Sequence, residues 1–400
     1  MEIDKPFLIL EINDERFIFL IIKYNSDLEY EVIFSKSILA GGVNEGRIID
    51  IKTSAEILKK NLIEIEKKIN FIIKDIVIIN SQKNYSCINI SGYKNLRGSQ
   101  ILKDDISYLI NNIKNLIVNN ASQKSLIHLF NSNYYLDNSK LDNLPIGLYG
   151  NFYNHHLTFF LLPKNDIKNL QIVLNKCNLS LDRIVLKNFT KGIIKIKENP
   201  KVDSFYIIYI GKTSSNVVLF EDSSLVYSEE FSFGSNIIMK DVSKVCKLEL
   251  NLIEKIFDEI NFDKLDSTNN EYLKESFFKH QPYRKISLSH LKDIVQARVD
   301  EMINLIYLNN INLRNTYKKG RKIYLKLVDQ NVNKNLKVTF TKNFLNYKNE
   351  IIFCDSTQDE QLKPSLGAAE LIGKGWHKEA IPIIHSKKSL ISRIFSFIFE

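Results

Sequence analysis

The chain has 400 residues, of which 44% are hydrophobic and 25% charged, and its formal net charge is +9. This length is too great for one small core and predicts two lobes or more, with the composition of a soluble globular protein. No run of eighteen apolar residues occurs and Asp4 and Lys5 interrupt the start, so we expect neither a membrane-spanning helix nor a signal peptide. The positive charge favours anionic partners, namely membrane lipid, nucleic acid or an acidic protein.

The cysteines and the histidine pair do not predict a metal site. The four cysteines are far apart in the chain and form no metal or redox pair, which favours a reduced cytoplasm: Cys87, Cys177, Cys246 and Cys354. His155 and His156 are adjacent in a predicted strand, so their side chains point to opposite faces and do not easily share one ion.

The first 80 residues alternate strands with one long helix. The apolar pattern predicts strands over Pro6–Asn13, Phe17–Lys23, Glu31–Ser35 and Asp75–Ile79. A helix with Thr53 as its N-cap and Glu56 three residues later is predicted to reach about Asn70.

Residues 80 to 201 contain a segment of different character and then a return to the first pattern. Strands are expected at Ser86–Ile90, Leu126–Phe130 and His156–Leu162, with a helix over Asp104–Val118 that is capped by Asp104. A helix over Asn165–Asn178, a strand over Asp182–Leu186 and a crossing at Lys195–Lys201 follow.

The stretch from Ser204 to Asp241 contains a candidate anion site. Apolar strands at Phe205–Tyr209 and Val217–Phe220 flank a small-residue turn, and a third strand ends at Gly234. A glycine turn lets backbone N–H groups approach a phosphate, and the turn hydroxyls add donors: Thr213, Ser214 and Ser215. Any hairpin with a polar turn has this pattern, so an ordinary hairpin without a bound anion is the alternative that the residues alone do not exclude.

The second half of the chain is mainly helical. Helices are predicted over Val242–Ile260, Ile286–Asn310 and Pro364–Gly375, a polar loop over Asn261–Pro282 and a strand over Lys322–Val328. Arg298 and Glu301 lie three residues apart on one helix face, so we expect them to pair.

The C-terminus predicts an amphipathic helix at residues 387–400, after a linker at residues 378–386. Its apolar face comprises Leu390, Ile391, Ile394, Phe395 and Ile398. Lys387, Lys388 and Arg393 add positive charge. A helix of this length, about 21 Å, is too short to cross a bilayer but suits the membrane interface. A terminal helix that packs on the protein body is the alternative.

Three motifs together carry a family resemblance. The turn at Gly211, followed by Gly234 about twenty residues later and Asp241 after that, resembles the second phosphate loop of the actin-like ATPase superfamily. Within that superfamily the chain resembles the bacterial cell-division family FtsA, because it has a Tyr-x-x-Asp sequence before Pro145-x-Gly-x-x-Gly and an Arg-x-x-Glu sequence at Arg298.

The resemblance implies an α/β, actin-like fold of two lobes, with a small α+β domain inserted in the first lobe and a C-terminal amphipathic helix. The first lobe is expected to comprise residues 1–80, 163–200 and 362–377, the small domain 81–162 and the second lobe 201–361. These boundaries follow the family pattern.

The implied function is that of an adaptor in the division ring. Arg298 and Glu301 match the family residues that help to receive the C-terminal tail of FtsZ. The resemblance further implies self-association into filaments, contacts with other division proteins and attachment of the C-terminal helix to the inner face of the cytoplasmic membrane at the division site. We expect no nucleic-acid partner.

The family binds ATP, and the resemblance places the nucleotide on Gly211, Thr213, Ser214, Ser215, Gly234 and Glu254. The chain departs from the family where Glu11 and Asn13 replace Asp and Gly, Tyr209 replaces Asp and Phe257 replaces Lys. Leu327 and Val328 also replace two glycines. We expect at most weak ATP binding, with Mg²⁺ if ATP binds, no separate metal site and little or no hydrolysis.

Two other functions fit the same fold. One is an active sugar-kinase-like or chaperone-like ATPase, and the missing carboxylate and glycines argue against it. The other is a cytoplasmic scaffold of a pilus machine, similar to PilM, and the amphipathic C-terminus argues against that one.

Overall fold

The computed structural model describes residues 5–265, 271–278, 282–314, 316, 320–345, 349–354 and 361–382. Its contacts divide the chain into two compact units. The first comprises Met1–Asp203, Phe220–Tyr227 and Thr357–Glu400, and the second comprises Ser204–Leu219 and Ser228–Ser356.

The strands in chain order are β1 (Phe7–Ile12), β2 (Arg16–Tyr24), β3 (Tyr30–Leu39), β4 (Val43–Asn44), β5 (Arg47–Ile48), β6 (Asp75–Asn80), β7 (Ser86–Asn95), β8 (Lys124–Leu136), β9 (Ser139–Leu141), β10 (Phe152–Pro163), β11 (Ser180–Leu186), β12 (Phe205–Ile210), β13 (Ser215–Glu221), β14 (Ser224–Phe231), β15 (Lys322–Leu327), β16 (Glu350–Phe353) and β17 (Glu379–Pro382).

The α-helices are α1 (Ile51–Ile69), α2 (Lys103–Asn120), α3 (Lys164–Lys176), α4 (Lys187–Glu198), α5 (Asn236–Cys246), α6 (Leu250–Glu259), α7 (Leu288–Ile303), α8 (Gln330–Asn335), α9 (Lys337–Leu345) and α10 (Lys363–Lys374). Short 3₁₀ turns occur at Phe262–Lys264 and Glu275–Phe278, and α7 continues into a π-helical turn at Asn304–Leu308.

The first unit contains one mixed sheet in the order β11-β6-β1-β2-β3. Strand β1 is parallel to β6 and antiparallel to β2. The central strands are apolar along nearly their whole length because both faces are covered. Helix α10 packs on this sheet, and the Tyr24 hydroxyl donates a hydrogen bond of 2.7 Å to the Ala369 carbonyl.

A second sheet of the first unit has the order β17-β8-β10-β7, with β9 paired to β8. Helix α2 contributes Ile106, Leu109 and Ile110 to the hydrophobic core of this sheet. Within that core lies His155, opposite Tyr134 in the strand register, whereas its neighbour His156 contacts the ring of Tyr135. The two adjacent histidines therefore face opposite sides of the strand.

A third sheet has the order β14-β13-β12-β15-β16. Strand β15 is parallel to both β12 and β16. Helices α5 and α7 pack against each other in the second unit. Buried residues on their facing sides, including Ile238, Val242, Val295 and Val299, explain the apolar periodicity of both segments.

Several predicted helix boundaries are wrong. Asp50, not Thr53, caps α1, because its carboxylate accepts the Lys52 and Thr53 amides. Helix α2 starts before Asp104, and the cap contact is made by Asp105, which accepts the Leu102 amide. The helix predicted over Val242–Ile260 is two helices, because Lys247 adopts a left-handed conformation that ends α5.

Two predicted connections are also ordered elements. The crossing predicted at Lys195–Lys201 begins inside α4, which ends at Glu198. The linker predicted at residues 378–386 begins with β17, which pairs with β8. Glu379 is buried there between Arg183 and His128, and its carboxylate accepts from the Arg183 guanidinium. Residues 383–386 and the helix predicted at residues 387–400 lie outside the described residues.

Within the described ranges, no helix is both long enough and apolar enough to cross a membrane.

Candidate functional site

The turn between β12 and β13 is bonded to the start of α5. The Gly211 amide donates to the Ser214 carbonyl at 2.9 Å. The carbonyls of Gly211 and Lys212 accept from the Ser235 and Asn236 amides at 2.8 and 3.0 Å. Two amides at the start of this helix, a position that often binds anions, are therefore occupied by the turn itself.

Gly234 is required for this close approach. A Cβ atom at Gly234 would lie 2.7 Å from the Lys212 carbonyl oxygen and closer still to that of Gly211. Both neighbours are backbone atoms, so a side chain has no room. The close packing of these two backbone segments is therefore a physical reason for glycine at position 234.

The hydroxyls of this turn differ in their availability. Ser215 is fully buried, and its hydroxyl donates to the Phe233 carbonyl at 2.8 Å, so this hydroxyl is already bonded within the protein. Thr213 is exposed and Ser214 is half-buried. The turn thus offers an anion the hydroxyls of Thr213 and Ser214 and the exposed Lys212.

Helix α6 carries the other predicted nucleotide residue. Glu254 is exposed on this helix, whereas Phe257 is buried and packs on the ring of Phe262, with ring centroids 4.8 Å apart. The position that holds lysine in the FtsA pattern therefore contributes to the core of the second unit.

The turn between β1 and β2, in the first unit, is closed by its own side chain. The Asn13 side-chain oxygen accepts from the Glu15 amide at 3.1 Å and from the Arg16 amide at 2.8 Å. The Asn13 amide donates to the Arg16 carbonyl at 3.1 Å. These three backbone amides are thus already bonded within the turn.

Glu11 precedes that turn and is buried, with only 1% of its surface exposed. One carboxylate oxygen accepts from the Lys187 ammonium at 2.5 Å and from the Asn13 side-chain nitrogen, Nδ2, at 3.0 Å. A cation from the start of α4 therefore neutralises this carboxylate. The other oxygen is buried and makes no hydrogen bond within the described part of the chain.

A groove of about 300 Å³ lies beside α5 and α7 in the second unit. Phe233, Ile237, Lys240, Asp241, Lys244, Arg298, Glu301, Met302 and Leu305 line it. Met302 is buried, whereas Leu305 is 50% exposed and remains available to a ligand. The groove thus combines an apolar surface with charged groups.

Arg298 joins the two helices in this groove. Its Nε donates to Asp241 and its terminal nitrogen donates to Glu301. The predicted pairing of Arg298 with Glu301 is present, but the sequence pattern assigned Asp241 to the phosphate loop and missed its contact with Arg298. No local signal connects Asp241 with Arg298, since they are 57 positions apart.

Comparison with known proteins gives a consistent family signal. No protein-family model matches the chain. Cell division protein FtsA of Buchnera aphidicola from Schizaphis graminum is 21% identical over 322 residues, which cover 79% of this chain and 76% of that protein. FtsA of Buchnera aphidicola from Baizongia pistaciae is 24% identical over 292 residues, covering 72% and 67%. The predicted resemblance to FtsA is confirmed.

FtsA from a more distant bacterium extends this result. FtsA of Neisseria meningitidis is 18% identical over 299 residues, which cover 74% of this chain and 72% of that FtsA. The chain thus resembles FtsA proteins of different bacteria along most of their length.

A solved structure supports the fold. The chain superposes on a chain of the PilM–PilN type IV pilus biogenesis complex with a TM-score of 0.54 and 11% identity, covering 93% of this chain and 98% of that one. The predicted actin-like α/β fold, which the FtsA resemblance implied, is confirmed.

Proposed function

We propose that this chain is an adaptor of bacterial cell division that attaches FtsZ filaments to the cytoplasmic face of the inner membrane. The observation that carries the proposal is the groove beside α5 and α7, since it contains both residues that the resemblance assigns to FtsZ. The similarity to FtsA over about three quarters of the chain supports the division role.

The groove has the features of a site for a short peptide. An extended or helical tail binds through a few apolar anchors, with polar groups that set its orientation. Phe233, Leu305 and Ile237 supply apolar surface, and Arg298 and Glu301 form a charged wall beside them. The FtsZ C-terminal tail is the partner that we propose for this surface.

Membrane attachment is assigned to residues 387–400, on their sequence pattern. Each large apolar side chain buried in the interface contributes about 1.5–3 kcal/mol, and each basic residue near anionic lipid about 1 kcal/mol. Partial burial and the cost of ordering the segment leave a single chain weakly bound. Filaments would strengthen attachment through avidity.

Self-association is proposed to use the small domain predicted over 81–162 and the second lobe predicted over 201–361. Head-to-tail contacts between these regions would form the filament. Other division proteins would bind the assembled form, at the division site.

The nucleotide site is proposed to be degraded. In the first turn, the Asn13 side chain accepts hydrogen bonds from two backbone amides, and Lys187 forms an ion pair with the Glu11 carboxylate. Neither the amides nor the carboxylate would then be available to a nucleotide. In the second turn, Gly211, Thr213, Ser214 and Gly234 remain as the anion-binding part, with Glu254 for the nucleoside. Tyr209 offers no carboxylate to hold Mg²⁺ through water. ATP would bind weakly, with Mg²⁺, and would be hydrolysed slowly or not at all.

Peptide titration tests the groove. A labelled FtsZ tail peptide is titrated with the full chain and with Leu305→Gln, which removes an apolar contact without changing the charge of the groove. The matched control is Ile311→Gln, because Ile311 is 85% exposed and does not line the groove. We expect roughly tenfold weaker binding for Leu305→Gln and unchanged binding for the control. Equal binding by all three proteins would exclude this groove.

Liposome co-sedimentation tests the attachment. The full chain should sediment with anionic vesicles, and the chain without residues 387–400 should remain in the supernatant. Equal sedimentation of both forms would show that residues 387–400 do not attach the protein to the membrane. If the FtsZ peptide also fails to bind, the pilus-scaffold alternative becomes the better description.

A further inference from the structure

Arg298 is not the cation that is available to a ligand in the groove. Its guanidinium donates to Asp241 on α5 and to Glu301 on its own helix, and 29% of the side chain is exposed. A guanidinium between two carboxylates is already neutralised, and both hydrogen bonds are charge-assisted. A peptide carboxylate would have to displace one of these partners.

Lys240 and Lys244 are in a different situation. They lie four residues apart on α5, so they project from the same helix face, and both line the groove. Both are exposed, and neither forms an ion pair with another residue of the described chain. Their ammonium groups are therefore available to an anionic ligand.

We propose that Lys240 and Lys244 select peptides whose apolar anchors are flanked by carboxylates, and that Asp241 is a positioning residue that holds Arg298 in the groove wall. This inference rests on the proposed use of the groove as a peptide site. It assigns selection to α5 and gives Arg298 a structural role.

The charge balance of the groove supports this division of roles. The lining contains three cations and two carboxylates, which leave one net positive charge. Replacing both lysines with glutamine makes that balance negative, whereas Asp241→Asn makes it more positive. The two changes therefore act in opposite directions on an acidic peptide and have little effect on a neutral one.

The test uses two synthetic peptides with the same apolar residues, one with Asp and Glu at its flanking positions and one with Asn and Gln. Each is titrated against the full-length protein by fluorescence anisotropy. The wild type should prefer the acidic peptide. The double variant K240Q/K244Q should bind it roughly fivefold more weakly and bind the amide peptide as before.

A matched control removes the same charge elsewhere. Lys247 and Lys255 are exposed in the same unit and do not line the groove. The variant K247Q/K255Q should therefore keep the preference for the acidic peptide. If it loses the preference as K240Q/K244Q does, overall charge is responsible and the proposal is wrong.

The variant Asp241→Asn tests whether Asp241 positions Arg298 in the groove wall or only stabilises the fold. We expect this variant to bind the acidic peptide about twofold to threefold more tightly, because Asp241 no longer neutralises the positive charge of Arg298. The conservative variant Asp241→Glu should bind both peptides as the wild type does. Weaker binding of both peptides by Asp241→Asn would show that Asp241 only supports the fold, and would overturn its assigned role.

The outcomes distinguish this inference from the proposed function. If the acidic peptide binds through Lys240 and Lys244 but the FtsZ tail does not bind, the inference holds and the named partner is wrong. If the wild type binds the acidic and amide peptides equally, the inference is wrong whether or not FtsZ binds. If neither peptide binds, both the groove assignment and the inference are wrong.

Discussion

Lys187 places its ammonium 2.5 Å from the carboxylate of Glu11, a residue with only 1% of its surface exposed. The two residues are 176 positions apart and meet beside the first polar turn. A buried carboxylate is costly unless a cation or hydrogen-bond donors compensate it, so this pair supports the fold of the first unit.

Replacing Lys187 tests that support. Among the described residues, Lys187→Met leaves the Glu11 carboxylate with only the Asn13 side chain as a donor, and we expect a loss of about 2 kcal/mol in the free energy of unfolding. Lys36→Met is the control, because Lys36 is exposed to nearly the same extent as Lys187, whereas its partner Glu64 is 48% exposed and surface pairs contribute under about 1 kcal/mol. Urea unfolding measures both. Adding Glu11→Gln to Lys187→Met should recover stability, and failure to do so would contradict the charge argument.

Nucleotide should have little effect on the wild type. Because the amides of the first turn are bonded to Asn13, about 5 mM MgATP should raise the free energy of unfolding by less than about 0.5 kcal/mol. Thermal unfolding with and without MgATP measures this change, and phosphate release measures turnover. A large stabilisation or steady turnover would refute the degraded site.

The second turn depends on the absence of a side chain at Gly234. Gly234→Ala would press a Cβ against two backbone carbonyls, and we expect a loss of about 2 kcal/mol. Ser232→Ala, at an exposed position two residues earlier, should change stability by less than about 0.5 kcal/mol. Chemical unfolding of both variants makes the comparison. Similar values for the two would show that the turn relaxes without cost.

His155 should make the protein sensitive to acid. Burial, with smaller contributions from His156 and Lys378, lowers its pKa to about 3 from an ordinary value of 6.5. The unfolded state therefore binds one more proton between these values, so the stabilising effect is complete above pH 6.5 and is lost as the pH falls toward 3.

The measurement is the slope of unfolding free energy against pH. His155→Leu should reduce that slope by up to about 1.4 kcal/mol per pH unit between about pH 5.5 and 4. His290→Leu is the control, because His290 is exposed. If both variants keep the wild-type slope, another buried group is responsible for the acid sensitivity.

Local pattern was sufficient for most individual elements. Hydrophobic periodicity predicted most strands of both units, though not β16 or β17, and the helix that carries Arg298 and Glu301, since it reports which side of each element is buried. The pairing of Arg298 with Glu301 was predictable because spacing by three residues places both on one helix face. The resemblance to FtsA supplied the actin-like arrangement of these elements.

What the sequence by itself determined is therefore the type of most elements, the family resemblance and the local pair in the groove. The tertiary structure alone decided that Asp241 accepts a hydrogen bond from Arg298 and that Lys187 neutralises Glu11. It also decided that the Ser215 hydroxyl donates to the Phe233 carbonyl and that the expected linker begins as β17. These contacts join residues whose local sequences contain no sign of each other. Their formation depends on which faces meet when the sheets and helices pack, and periodicity along the chain does not record that choice.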